Sequence, residues 1–123
     1  MSNDPSNKDR KYDIGERTAC FGEAVIAFAK RIPVNEVSKS LIIQLVRACT
    51  SVGANYDEAD EAESRKDFRH KIALCRKESR ESRRWFRMIV AAQSEMNEAA
   101  KPLAQEAKEL HLIFCAIIRK LDH

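Results

Sequence analysis

The stretch that decides the fold is residues 64–93, SRKDFRHKIALCRKESRESRRWFRMIVAAQ. It holds no glycine or proline, and at about 100° per residue its side chains sort into three faces of one long helix. Phe68, Ile72, Cys75, Ser79, Ser82, Phe86 and Ile89 share the first face. Arg65, Arg69, Arg76, Arg80, Arg83 and Arg87 form a row roughly a quarter-turn away. Leu74, Trp85 and Met88 lie on a third face, mixed with Asp67, Lys71, Glu78 and Glu81. A helix in a lone bundle needs one apolar stripe. The further apolar flank and the arginine row therefore predict self-association and an anionic partner.

Working outward, Ser64 is placed to cap this helix, with Asp67 three positions on in the manner of a capping box. Before it, Asn35 caps a second helix whose stripe is Leu41, Leu45, Ala48, Val52, Tyr56 and Ala59 and which ends near Glu61–Glu63. Gly53 inside it costs about 1 kcal/mol relative to alanine, a cost that a close contact would offset. Pro33 ends a first helix predicted over Asp13–Arg31, with Ile14, Phe21, Val25, Phe28 and Ile32 at helical spacing and Gly22 suited to close approach. A fourth begins between Asn97 and Pro102, proline being tolerated in a first turn. It runs through Leu103, Ala107, Leu110, Phe114, Ile117 and Leu121, with Ile113 and Ile118 as a flank.

Composition agrees with helices throughout. Charged residues make up 33% of the 123, against only three glycines and three prolines, and no stretch has strand periodicity. The expected architecture is all-α: an up-down-up-down antiparallel four-helix bundle over residues 12–123, assembling into a homo-oligomeric ring. Residues 1–11 are polar and are expected to be a disordered tail. That N-terminus has no apolar core of signal-peptide length and no window reaches membrane-span length, so the expected location is the cytoplasm, with no membrane partner.

The net charge of +3 is too small to define a function by itself. Its distribution is more informative. An acidic block, Asp57, Glu58, Asp60, Glu61 and Glu63, precedes the arginine-rich helix. Two readings compete for that helix: a solvated face laced by pairs such as Asp67–Lys71, and a true anion-binding surface. Cys20, Cys49, Cys75 and Cys115 are too far apart for a zinc-type CxxC pair and read as reduced thiols at or beside apolar positions.

From Gln44 the chain reads QLVRACTSVGANYDEADEAESRKDFRHKIALCRKESRESRRWFRMI. This resembles the bacterial four-helix bundle family of 23S rRNA intervening-sequence proteins. The pattern is carried by Gln44, Leu45, Ala48, Ser51, Asn55, Tyr56, Glu58, Ala59, Glu63, Ser64, Asp67 and Phe68. It continues through His70, Lys71, Ile72, Lys77, Glu78, Glu81 and Trp85. The resemblance implies a pentameric ring of bundles, with some relatives encoded inside ribosomal RNA insertions. It extends distantly to the accessory variability proteins of diversity-generating retroelements, which bind nucleic acid and a reverse transcriptase through a basic surface. It supplies no catalytic residues.

No catalytic, metal or cofactor site is expected. Di-iron bundles need two Glu-x-x-His motifs, and here only Asp67-x-x-His70 comes near one. Asn55, Glu58, Asp67, Lys71, Glu78 and Glu81 read as a structural polar network between helices two and three, or alternatively as a ligand site. Arg69, Arg76, Arg80, Arg83 and Arg87, spread over about 27 Å, are the candidate nucleic-acid contacts. Leu74, Trp85 and Met88 are the candidate oligomer interface. The function expected is a non-enzymatic accessory or scaffold protein, homopentameric by resemblance, binding RNA or DNA. The alternative is a protein–protein interaction module with no nucleic-acid role.

Overall fold

A computed structural model describes residues 13–123; the tail expected at residues 1–11 lies outside that range. Four helices follow in order: α1 Ile14–Ala29, α2 Glu36–Asp60, α3 Arg65–Ala92 and α4 Asn97–Leu121, with a 3-10 turn at Ser94–Met96 before α4. There is no strand among the described residues. Consecutive helices pack on one another through short connections, and α1 meets α4, so the four close into a bundle.

Each boundary has a local cause. Asp13 caps α1 by accepting from the Glu16 N–H at 3.2 Å. α1 stops two residues before the predicted Arg31, because the last N–H groups tighten to i→i−3 bonds: Arg31 to Phe28 O at 3.0 Å and Ile32 to Ala29 O at 3.2 Å. That turn returns Ile32 to the core ahead of Pro33. Asn35 Oδ1 accepts from the Val37 and Ser38 N–H groups at 2.9 Å each. Ser38 Oγ completes a capping box by accepting from the Asn35 N–H at 2.9 Å. Ser64 Oγ accepts from the Asp67 N–H at 3.0 Å at the start of α3.

α4 starts at Asn97, the early end of the expected range, so Pro102 stands five residues past its start, beyond the first turn. It removes the bond that its amide would have given to the Glu98 carbonyl. Glu98 and Pro102 are both exposed, so water reaches that carbonyl.

The first face of α3 is the centre of the core. Ile72, Cys75, Ser79, Ser82, Phe86 and Ile89 are all buried. The Phe86 ring stands 5.7 Å from Phe28, tilted by 60°. Leu45, Ala48, Val52 and Ala59 of α2 and Ala107, Leu110 and Phe114 of α4 are likewise buried. Near its end the α4 stripe turns: Ile118 is buried while Ile117, predicted to continue it, is half-buried. Ser79 and Ser82 satisfy their hydroxyls inside the helix, donating to Cys75 O at 2.8 Å and Glu78 O at 2.7 Å. Gly53 is held by a close approach: a Cβ there would sit 3.3 Å from Thr18 Oγ1, and Thr18 is buried. Gly22 is under less pressure, since its nearest neighbour to such an atom would be Thr50 at 3.8 Å.

α1 is tied to α4 by Arg17, which donates to Glu106 at 2.7 and 2.8 Å and to Glu109 at 3.0 Å. The hydrogen bonds to Glu106 chiefly raise the Arg17 pKa.

Burial pushes the thiols of Cys49 and Cys75 up to about 12. Cys20 is exposed and Cys115 half-buried. A maleimide added to native protein at neutral pH is therefore expected to label Cys20 first and Cys115 more slowly. Cys49 and Cys75 should react only after denaturation, because the thiolate is the nucleophile. Mass spectrometry of the digest checks this, and early labelling of Cys49 or Cys75 would refute the packing of α2 on α3.

Candidate nucleic-acid interface

The six arginines of the α3 row divide into two groups. At the start of α3, Arg65 donates to the Leu121 carbonyl at 2.6 Å. Arg69 forms a two-pronged pair with Asp122, at 2.6 and 2.8 Å. The pair raises the Arg69 pKa, and its hydrogen bonds hold the Asp122 carboxyl below the usual carboxylate range. Arg69 therefore pins α4 to α3, and its guanidinium is already occupied.

The other four, Arg76, Arg80, Arg83 and Arg87, take part in no salt bridge among the described residues. They open instead on a groove of about 1140 Å³ between α3 and α4. α3 adds Lys77 and Arg84 to its lining, and α4 adds Lys101 and Lys108. Eight cations thus line it against one carboxylate, Glu81, which is itself held by Arg47. Mutual repulsion among uncompensated cations favours any multivalent anion that lies between them.

Small or neutral residues make up most of the half-buried lining: Ala73, Ala104, His111 and Cys115, beside Arg76 and Glu81. His111 Nδ1 lies 3.1 Å from the Arg76 carbonyl. A carbonyl can only accept, so that nitrogen carries the proton, and Nε2 accepts from the Cys115 thiol at 3.5 Å. This contact fixes the register of the two walls. Counting turns from it along the antiparallel helices, Lys108 comes about level with Arg80 and Lys101 about level with Arg87.

The six residues expected to form one polar network fall into separate groups. Lys71 donates to Glu58 at 2.6 Å, which raises the Lys71 pKa; Asp67 adds a weaker charge contribution. Glu78 and Glu81 both receive Arg47 from α2, a residue the sequence reading did not single out. Arg47 also donates to Gln44 at 3.1 Å. Asn55 turns back on its own helix, donating to the Ser51 carbonyl at 2.9 Å. Among the described residues no group of three or more metal-ligating side chains is gathered.

Leu74, Trp85 and Met88 are all half-buried. Trp85 packs against the core, and its indole N–H donates to Glu81 at 3.2 Å. Much of this third face is therefore the α2–α3 seam, because Lys71, Glu78 and Glu81 beside it all reach residues of α2.

Lys101 and Lys108 are groove residues that the sequence reading missed. Their signal is a seven-residue step along α4, which matters only once the register against α3 is known.

These features define a class: an all-helical bundle with a cationic groove along one helix pair. The chain belongs to the family of the 23S rRNA-intervening sequence protein, whose model matches residues 10–115. It is similar to a crystal structure of a protein of unknown function from the S23 ribosomal protein family of Bacteroides thetaiotaomicron. The two share 27% sequence identity with a TM-score of 0.77, over 86% of this chain and 98% of the other. No curated protein matches the chain. No described helix is long and apolar enough to cross a membrane.

Proposed function

We propose that this protein is a non-enzymatic accessory or scaffold protein that binds RNA or another nucleic acid through the basic surface of α3. The observation that carries the reading is the row Arg76, Arg80, Arg83 and Arg87, which is unengaged by carboxylates among the described residues and opens on a groove with further lysines. A purely solvating charge face would show interspersed pairs, as Lys71–Glu58 does elsewhere. The family description, an intervening sequence of 23S rRNA, favours RNA as the polyanion. Affinity would come from phosphates, since no Phe, Tyr or Trp lines the groove to stack on a base. Retention of RNA should fall steeply as salt rises, because each neutralised phosphate releases counterions. Retention that is absent at low salt, or indifferent to salt, would reject the reading.

Self-association into a ring, pentameric by resemblance, belongs to the same proposal, since copies of a weak site gain by avidity. Leu74, Trp85 and Met88 remain the proposed contact through the parts of them left open. Trp85→Ala is expected to shift the protein to a later elution volume in size-exclusion chromatography with light scattering. An unchanged assembly mass would move the contact elsewhere.

A second reading, a protein–protein interaction module, is favoured by the exposed Val34, Val37 and Ile43, which are 72%, 63% and 58% exposed around the α1–α2 turn and the first half of α2. Capture of a defined protein after nuclease treatment, with no RNA retained, supports that alternative.

A further inference from the structure

We propose that the α3–α4 groove is a two-walled channel for the backbone of a single nucleic-acid strand, with Lys101 and Lys108 of α4 facing the α3 arginines across it. The inference rests on the nucleic-acid reading above and adds the form of the ligand and the second wall. It follows from shape and placement. Packed helices lie roughly 8–10 Å apart, so the trough between them is narrow. Its half-buried floor is made partly of Ala73, Ala104 and Cys115, while the lysines and Arg80, Arg83 and Arg87 stand exposed along its edges.

A duplex is bound by an element that enters one of its grooves or by a surface that spans its phosphates. A recess with positive charge along both edges instead matches a thin chain carrying charge on its outside. The register places Lys108 near Arg80 and Lys101 near Arg87, so the two levels are separated by about 10 Å along the axis. Arg76 to Arg87 spans about 16 Å, room for roughly four phosphates of one strand, which stand further apart than the axial rise of about 3.4 Å in a stacked duplex. With no Phe, Tyr or Trp in the lining, and His111 tied to the Arg76 carbonyl and Cys115, the bases stay outside and their identity is not read.

The test uses the full chain and a labelled oligo-uridine of about 12 nucleotides, within the range that single-strand binding modules cover. The same oligonucleotide annealed to oligo-adenosine serves as the duplex. Fluorescence anisotropy should show the single strand bound about tenfold more tightly than the duplex. Its salt slope should be near −3, from roughly four contacts at about 0.7 each. The exposed pair Lys101→Glu with Lys108→Glu should weaken strand binding by about tenfold or more; circular dichroism verifies that the helices persist, and Lys101→Gln with Lys108→Gln should give a smaller loss in the same direction. Equal or tighter binding of the duplex overturns the channel. So does full strand affinity in both lysine variants, and in either case the α3 reading survives if the α3 arginines still matter. Failure of both probes to bind at low salt overturns the channel and the nucleic-acid reading together.

Discussion

Phe114→Ala should cost about 3–5 kcal/mol of folding stability and lower the thermal midpoint by roughly 10–20 °C. Phe114 is fully buried on α4, 6.4 Å from the Tyr56 ring of α2. Truncation removes the transfer free energy of the ring and leaves a cavity where those two helices meet across the bundle. A small domain is stable by about 5–15 kcal/mol in total, so the loss is a large share. The matched control is Leu112→Ala on the same helix. Leu112 is 55% exposed, and its truncation should stay within about 0.5 kcal/mol. Thermal denaturation followed by circular dichroism compares the two, and similar midpoints would show that α4 does not present the assigned face.

The charge reversals Arg76→Glu with Arg83→Glu should weaken RNA binding by about a hundredfold at low salt, taking roughly tenfold for each reversed contact, and should flatten the salt dependence. Neither guanidinium takes part in a salt bridge among the described residues, and Arg83 is exposed, so the fold has little reason to change. The contact between His111 and Arg76 uses the backbone carbonyl, which substitution leaves in place. Lys39→Glu with Lys66→Glu changes net charge by the same amount at exposed positions outside the groove. Filter binding across a salt series separates a local site from general attraction. Equal losses in the two double variants would mean that total charge, and no particular surface, governs binding.

The bundle was legible because its evidence is local and periodic. The run Phe68, Ile72, Cys75, Ser79, Ser82, Phe86, Ile89 keeps helical phase through two serines, and six of the seven are buried. Asn35 and Ser64 were readable as caps because a cap acts within three residues. What depends on a distant neighbour was harder to read. Arg69 and Arg76 look alike in sequence, and only the position of Asp122, more than fifty residues on, engages the first and leaves the second open. The flank bearing Trp85 suggested another subunit, yet much of it meets α2 of the same chain. Periodicity reports that a surface must be covered and cannot say whether a sister helix or a sister molecule covers it. The start of α4 at Asn97 falls inside the range legible in sequence, and Pro102 lies beyond the first turn because an exposed helix tolerates the lost amide.

The clamps on α3 have a thermodynamic consequence. Arg47 grips Glu78 and Glu81 from one side, while Arg65 and Arg69 fasten its first turns to the end of α4. The arginines thus stand on a helix that is already formed before any ligand arrives. Docking then has to restrict only long side chains, at about 0.5–1.5 kcal/mol for each one held, and no loop must give up its disorder. Loosening Arg47 should therefore weaken binding without touching a phosphate, both by loosening α3 and by leaving the Glu81 carboxylate uncompensated at the groove.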